Sequence, residues 1–285
     1  MGKNIYWCLF VTIALLACTG DRISQHNQAI TKVFKTGNYT HSSFTSKSRG
    51  QVDFNVYLPS NWSQERAKKY PLLILLHGQG EDENTFIQAF PVSSLNHWMK
   101  NQLIPEMVIV AVRGGTNTNE MQWYTNPNEE MITSDKKQEL RRFCAENFHT
   151  TMESTQISVI GHSRGATGAL NFALYFPTKF ASVVSSAFVS DYAIKRLKQA
   201  VDKNLDEILK SNIKIELLIG DQDQYVQNNN RKGSPIMSDY LRMHGIQHKF
   251  KIIENKGHRL IELWEYPTNL HYLEFIAESW GKDFN

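Results

Sequence analysis

The sequence predicts an α/β fold around a mainly parallel sheet, and three observations carry that expectation. Runs rich in β-branched residues alternate with helix-like stretches. Two of those runs, Leu72–Leu76 and Val108–Val112, are apolar without alternation, as strands covered on both faces should be. A further run, Gln156–Ile160, leads directly into Gly161-His162-Ser163-Arg164-Gly165 and then into a stretch of small and apolar residues.

The elements follow in order. Candidate strands are Ala29–Lys35, Gln51–Leu58, Leu72–Leu76, Met107–Val112, Gln156–Ile160, Ala181–Ser185, Ile213–Ile219 and His248–Ile253. Gln51–Leu58 alternates polar and apolar residues, which suits an early antiparallel strand nearer an edge. Helix-like stretches lie near Ser134–Phe148, Arg164–Tyr175, Asp202–Lys210, Ser234–His244 and Pro267–Trp280. No internal repeat and no linker divides residues 29–285, which read as one domain.

Composition narrows the function classes. The chain has 285 residues, 41% of them hydrophobic, more than a disordered chain carries. Its formal net charge is +3, without the basic excess of a nucleic-acid binder. Three cysteines, Cys8, Cys18 and Cys144, are too few for a disulfide scaffold.

The amino terminus reads as an address. Lys3 precedes an apolar stretch from Ile5 to Ala17, too short to span a membrane and laid out like a secretory signal. It ends in Leu15-Leu16-Ala17-Cys18, which resembles a bacterial lipobox. Residues 1–17 would then be a signal peptide and Cys18 the lipidated first residue of the mature chain. Residues 18–28 would be the lipidated tether. That pattern implies an exported protein held on a membrane by its lipid, with Cys144 the remaining thiol of the folded domain.

The chemistry centres on Ser163. G-x-S-x-G is a weak signal as a bare string, but here it sits between a strand and a helix. Such a turn lifts a strained serine above the sheet, at the positive end of the following helix. A nucleophilic serine needs a base, and the base needs an orienting acid; in this arrangement they follow in the order acid, then histidine. The strand Ile213–Ile219 ends in Gly220-Asp221-Gln222-Asp223-Gln224-Tyr225-Val226. Asp223 is the preferred acid, with Asp221 and Asp191 as alternatives. A calcium loop beginning at Asp221 would need glycine at Val226 and glutamate at Lys232, so a metal role lacks support. His258, after Gly257 and beyond the last strand, is the expected base. The oxyanion donors expected are the backbone N–H groups of Arg164 and Gln79, with Gly78 as the alternate to Gln79. Trp123, Tyr124 and Tyr225 are candidates for the substrate pocket.

Together these residues resemble the α/β-hydrolase superfamily, in particular its esterase D and feruloyl-esterase-like branch. The resemblance spans about Gln51 to Trp280. It includes Tyr70-Pro71 before the His77-Gly78 strand, Gln122-Trp123-Tyr124, the stretch from Ala173 to Phe180, and Gly257-His258. Ala166 departs from it, standing where many members have glycine, and so does Ser185-Ser186-Ala187, where Ser-Gly is common. The resemblance implies a mostly parallel twisted sheet with helices on both faces. It also implies a serine carboxylic-ester hydrolase without a cofactor, acting on small acyl, acetyl or feruloyl esters, carbohydrate esters among them. A peptidase or acyltransferase on the same scaffold is the alternative enzyme, and a non-catalytic binding lipoprotein the alternative outside enzymes.

Overall fold

The sheet is assembled around β3 (Leu72–Leu76), whose five residues are all buried. The protein is seen in a computed structural model that describes residues 34–115, 123, 128–134, 137, 139–224 and 233–281. The chain divides into two units, Met1–Lys35 and Thr36–Asn285, and the architecture below belongs to the second. The other strands are β1 (Asn38–Ser46), β2 (Gly50–Leu58), β4 (Val108–Val112), β5 (Ile157–His162), β6 (Ser182–Ser186), β7 (Lys214–Gly220) and β8 (Lys249–Ile253). Their spatial order is β1-β2-β4-β3-β5-β6-β7-β8. β2 pairs antiparallel with β1 and β4, and every later pairing is parallel.

The helices are α1 (Thr85–Ala89), α2 (Val92–Lys100), α3 (Asn128–Thr133), α4 (Glu139–Phe148), α5 (Arg164–Tyr175), α6 (Asp191–Lys210), α7 (Ser234–Met243), α8 (Leu260–Leu263) and α9 (Thr268–Ser279). Leu73 and Leu75 of β3 pack with Phe86 and Phe90, Trp98 of α2, and Leu263 and Trp264 at α8. Because strand side chains alternate, Leu72, Ile74 and Leu76 point to the opposite face, where α5 lies against the sheet. Each fully buried leucine contributes about 2 kcal/mol of hydrophobic stabilisation, so coverage on both faces explains why β3 has no polar position.

Several boundaries differ from the sequence expectations. The first strand described is β1, whereas the expected strand Ala29–Lys35 falls largely outside the described residues. β1 is an edge strand in which only Phe44 and Ser46 are buried, so it lacks the apolar alternation that marks a strand. The short helices α1 and α2 were not expected. α6 begins at Asp191 rather than Asp202, and the backbone is non-helical at Asn204 within it. Ala193, Leu197, Ala200 and Val201 recur at helical spacing on its buried side, a signal that the intervening lysines and Arg196 dilute.

The parallel strands bring the chemistry to one edge. Ser163, Asp223 and His258 and the loop from His77 all follow the carboxyl ends of parallel strands, where α/β sheets bind their ligands. The turn between β5 and α5 depends on absent side chains. A Cβ on Gly161 would lie 2.0 Å from the Gly165 carbonyl oxygen, and one on Gly165 would lie 1.9 Å from that of Leu76. Gly165→Ala must therefore separate α5 from β3. It should lower stability by about 3 kcal/mol, measurable by urea denaturation. A wild-type unfolding midpoint would contradict this packing.

Candidate active site

Ser163 occupies the turn that those glycines allow. Its backbone has φ 53° and ψ −110°, a conformation that costs a residue with a side chain about 1–3 kcal/mol. The cost is met by fixed neighbours: the Ser163 N–H donates to the Ser186 carbonyl on β6 at 2.8 Å. Arg164 opens α5, so Ser163 lies at the positive end of that helix.

The structure brings the three expected side chains together. The Ser163 hydroxyl lies 3.0 Å from His258 Nε2, and His258 Nδ1 lies 2.6 Å from Asp223 Oδ2. The hydroxyl donates to Nε2 and the Nδ1–H donates to the carboxylate, which sets the imidazole tautomer. Asp223 is fully buried. Asp221 faces elsewhere: its Oδ1 accepts the Lys256 N–H at 3.3 Å, and its own N–H donates to the Ile253 carbonyl. Gln222 N–H donates to the Lys256 carbonyl at 2.9 Å. Asp221 and Gln222 thus tie the loop carrying the acid to the loop carrying the histidine. The alternative Asp191 is the first residue of α6.

The loop after β3 is held from several sides. His77 is buried, and its Nε2 accepts the Gly114 N–H at 3.1 Å while its Nδ1–H donates to the Gly78 carbonyl at 3.0 Å. Trp123 Nε1–H donates to the His77 carbonyl at 3.0 Å. Further along, buried Glu83 accepts from Arg113 at 2.6 Å and sits 3.0 Å from His41. The Glu81 carboxylate accepts the Gly78 N–H at 2.6 Å. Gly78 is thereby committed, while Gln79 lines the cleft and its N–H donates to no backbone carbonyl within the described residues.

Ser163 and His258 open into a cleft of about 470 Å³, whose walls also carry Gln79, Glu81, Gln88 and Ile261. A larger groove of about 880 Å³ lies among Pro59, Arg66, Lys100 and Leu103, at the amino ends of the parallel strands and away from these groups. Trp123 does not stand in the cleft wall as expected. It is fully buried behind the loop, and its Cβ occupies the space left by Gly168. Tyr124, Tyr225 and Cys18 lie outside the described residues. The Cys144 thiol is free and buried, and burial pushes its pKa up. Among the described residues no cluster of histidine, cysteine and carboxylate side chains could hold a metal ion.

Sequence reasoning missed the supporting groups. Glu81 and Glu83 carry no motif beyond their nearness to His77-Gly78, and Arg113, which follows β4, carries none. His162, within the G-x-S-x-G string, is buried with its ring 5.4 Å from that of His258.

A Ser–His–Asp relay on a strand–turn–helix elbow, at the carboxyl edge of a mostly parallel sheet, defines the class as a serine hydrolase of α/β-hydrolase architecture. Residues 46–251 match the family described as "Putative esterase", and the chain belongs to that family. It is a serine esterase. Solved structures similar to it include a ferulic acid esterase, 19% identical with TM-score 0.70, covering 85% of this chain and 98% of that one. An S-formylglutathione hydrolase from Staphylococcus aureus is 19% identical with TM-score 0.63, covering 86% and 99% of the two chains. A mutant feruloyl esterase module from Clostridium thermocellum, complexed with sinapinate, is 17% identical with TM-score 0.61, covering 85% and 87%. At these identities the likeness is one of fold.

The buried histidines make stability depend on pH. Burial lowers the pKa of His77 from 6.5 to about 4; burial, and then the nearby His258, lower that of His162 to about 3. The unfolded chain takes up these protons near pH 6.5, so below that value it binds more protons than the folded protein. The stabilisation is fully present above pH 6.5 and is lost as pH falls towards 4, by up to about 1.4 kcal/mol per pH unit for each histidine. Urea denaturation between these limits should show this slope, and His77→Gln should flatten it. An unchanged slope in that variant would contradict a neutral, buried His77.

Proposed function

We propose that the chain hydrolyses carboxylic esters through an acyl-enzyme on Ser163, with His258 as general base and Asp223 as its orienting acid. The observation that carries this reading is the unbroken pair of contacts, Ser163 Oγ to His258 Nε2 at 3.0 Å and His258 Nδ1 to Asp223 at 2.6 Å. Ser163 Oγ attacks the acyl carbon as Nε2 takes its proton. The tetrahedral oxyanion receives the N–H groups of Gln79 and Arg164, each worth about 3–4 kcal/mol in comparable sites. Collapse expels the alcohol, which takes the proton from Nε2. A water molecule then attacks the acyl carbon with the same base, releasing the acid and restoring Ser163. His162 supports this cycle by staying neutral when His258 becomes an imidazolium, since its pKa is held at about 3.

The substrate class proposed is small acyl, acetyl or feruloyl esters, with carbohydrate esters favoured. The feruloyl esterase names of the similar structures and the polar cleft wall at Gln79 and Gln88 support it. The lipobox-like Leu15-Leu16-Ala17-Cys18 and the polar residues after it support lipidation at Cys18 and display outside the cytoplasm. No helix of the described residues is long and apolar enough to cross a membrane.

Three variants test these assignments. Ser163→Ala should abolish p-nitrophenyl acetate turnover and fluorophosphonate labelling while keeping the wild-type circular dichroism spectrum; labelling that persists would refute the nucleophile. Asp223→Asn should reduce kcat by roughly 10⁴-fold and Asp221→Asn by far less; the reverse order would move the acid to Asp221. Cys18→Ala in the full chain should shift the expressed protein from the detergent phase to the aqueous phase on Triton X-114 partition, and retention in the detergent phase would exclude a Cys18 anchor.

A further inference from the structure

The cleft holds a carboxylate that the mechanism above does not use. Asp223 orients the base, and Glu83 anchors the loop through Arg113 and His41. Glu81 is a third acid, in the cleft wall itself. Its Oε2 accepts the Gly78 N–H at 2.6 Å, while its Oε1 makes no hydrogen bond within the described residues. A Cβ placed on Gly78 would meet Glu81 Oε2 at 2.8 Å and Ser163 Cβ at 3.2 Å, so carboxylate and nucleophile flank the same glycine. The neighbouring Asp82 is already engaged, by the Asn84 N–H at 2.9 Å and by Arg113 at 3.3 Å. Arg259 is the cationic side chain among the described lining residues; it is exposed and lies 3.7 Å from Glu262.

We propose that Glu81 determines specificity: its negative charge beside Ser163 disfavours esters whose acyl chain carries an anion and favours neutral ones. The proposal rests on the serine-esterase mechanism and deepens it. Two like charges a few ångströms apart in a half-buried cleft repel strongly, because solvent screens them only in part. Burial raises the pKa of Glu81, while the Gly78 N–H and His258 act against that rise, so the comparison below is made at pH 8, well above the ordinary carboxylate range. In the transition state this carboxylate attracts the imidazolium and repels an anionic acyl chain.

The test is a matched pair, p-nitrophenyl butyrate and the p-nitrophenyl ester of an acyl chain of the same length ending in a sulfonate. The wild type should process the sulfonate ester with a kcat/KM lower by about tenfold. Glu81→Gln keeps an oxygen for the Gly78 N–H and removes the charge, so it should close most of that gap. The ratio is taken within each protein, so a general loss of activity cancels. A gap that survives in the variant overturns the proposal. The wild type gives a second measurement that needs no variant. Raising salt from low to near-molar should speed the sulfonate ester several-fold and leave the neutral ester unchanged. Equal kcat/KM values for the two esters in the wild type at low salt overturn the Glu81 proposal and leave the acyl-enzyme mechanism standing. Failure to hydrolyse either ester overturns that mechanism and this proposal with it.

Discussion

The close approach of β5, α5 and β3 at Gly161 and Gly165 is the constraint on which the site depends. Neither position has room for a Cβ, since each would lie about 2 Å from a backbone carbonyl oxygen. The approach forces the connecting residue into a conformation with φ 53°, and that residue is Ser163. The strain is local, while its support is spread over the sheet: Ser186 on β6 receives the Ser163 N–H, and Leu76 of β3 borders Gly165. The rigid parallel sheet therefore holds Ser163 at a fixed height above its carboxyl edge.

Two further ties bring partners to that serine from distant parts of the chain. The loop after β7 and the loop after β8 are joined by Asp221 and Gln222, both bonded to Lys256. Gly220 makes this possible, because a Cβ there would meet the Lys256 carbonyl oxygen at 2.0 Å. The loop after β3 is pinned by the neutral His77 and by Trp123, and farther out by Glu83 with Arg113. Electrostatics follow from this packing. His77 and His162 are kept neutral by burial.

The centre of the site was legible in the sequence because its parts have local signatures. Gly161-His162-Ser163-Arg164-Gly165 marks a turn only small residues permit, and Gly257-His258 follows a strand end. The preference for Asp223 over Asp221 rested on spacing; in the structure Asp223 Oδ2 lies 2.6 Å from His258 Nδ1, while Asp221 Oδ1 accepts the Lys256 N–H. The strands buried on both faces were equally plain. What stayed hidden depends on contacts remote in sequence. β1 is a polar edge strand recognisable only by its pairing with β2. Trp123 looked like a pocket residue because aromatic rings suit either role, and only its bond to His77 and its packing on Gly168 place it behind the loop. Glu81 has no motif, and its place beside Ser163 appears only when β3 and β5 are paired.

The central claim is that Ser163 itself carries the acyl group between the two halves of the reaction. The most direct measurement is peptide mass spectrometry after rapid acid quench of the enzyme mixed with p-nitrophenyl acetate. The mechanism predicts an acetyl group on the peptide containing Ser163, absent from Ser163→Ala and forming far more slowly in His258→Ala, where the base that activates the serine is gone. Turnover with no acetyl adduct on Ser163, or with the adduct on another residue, would contradict it.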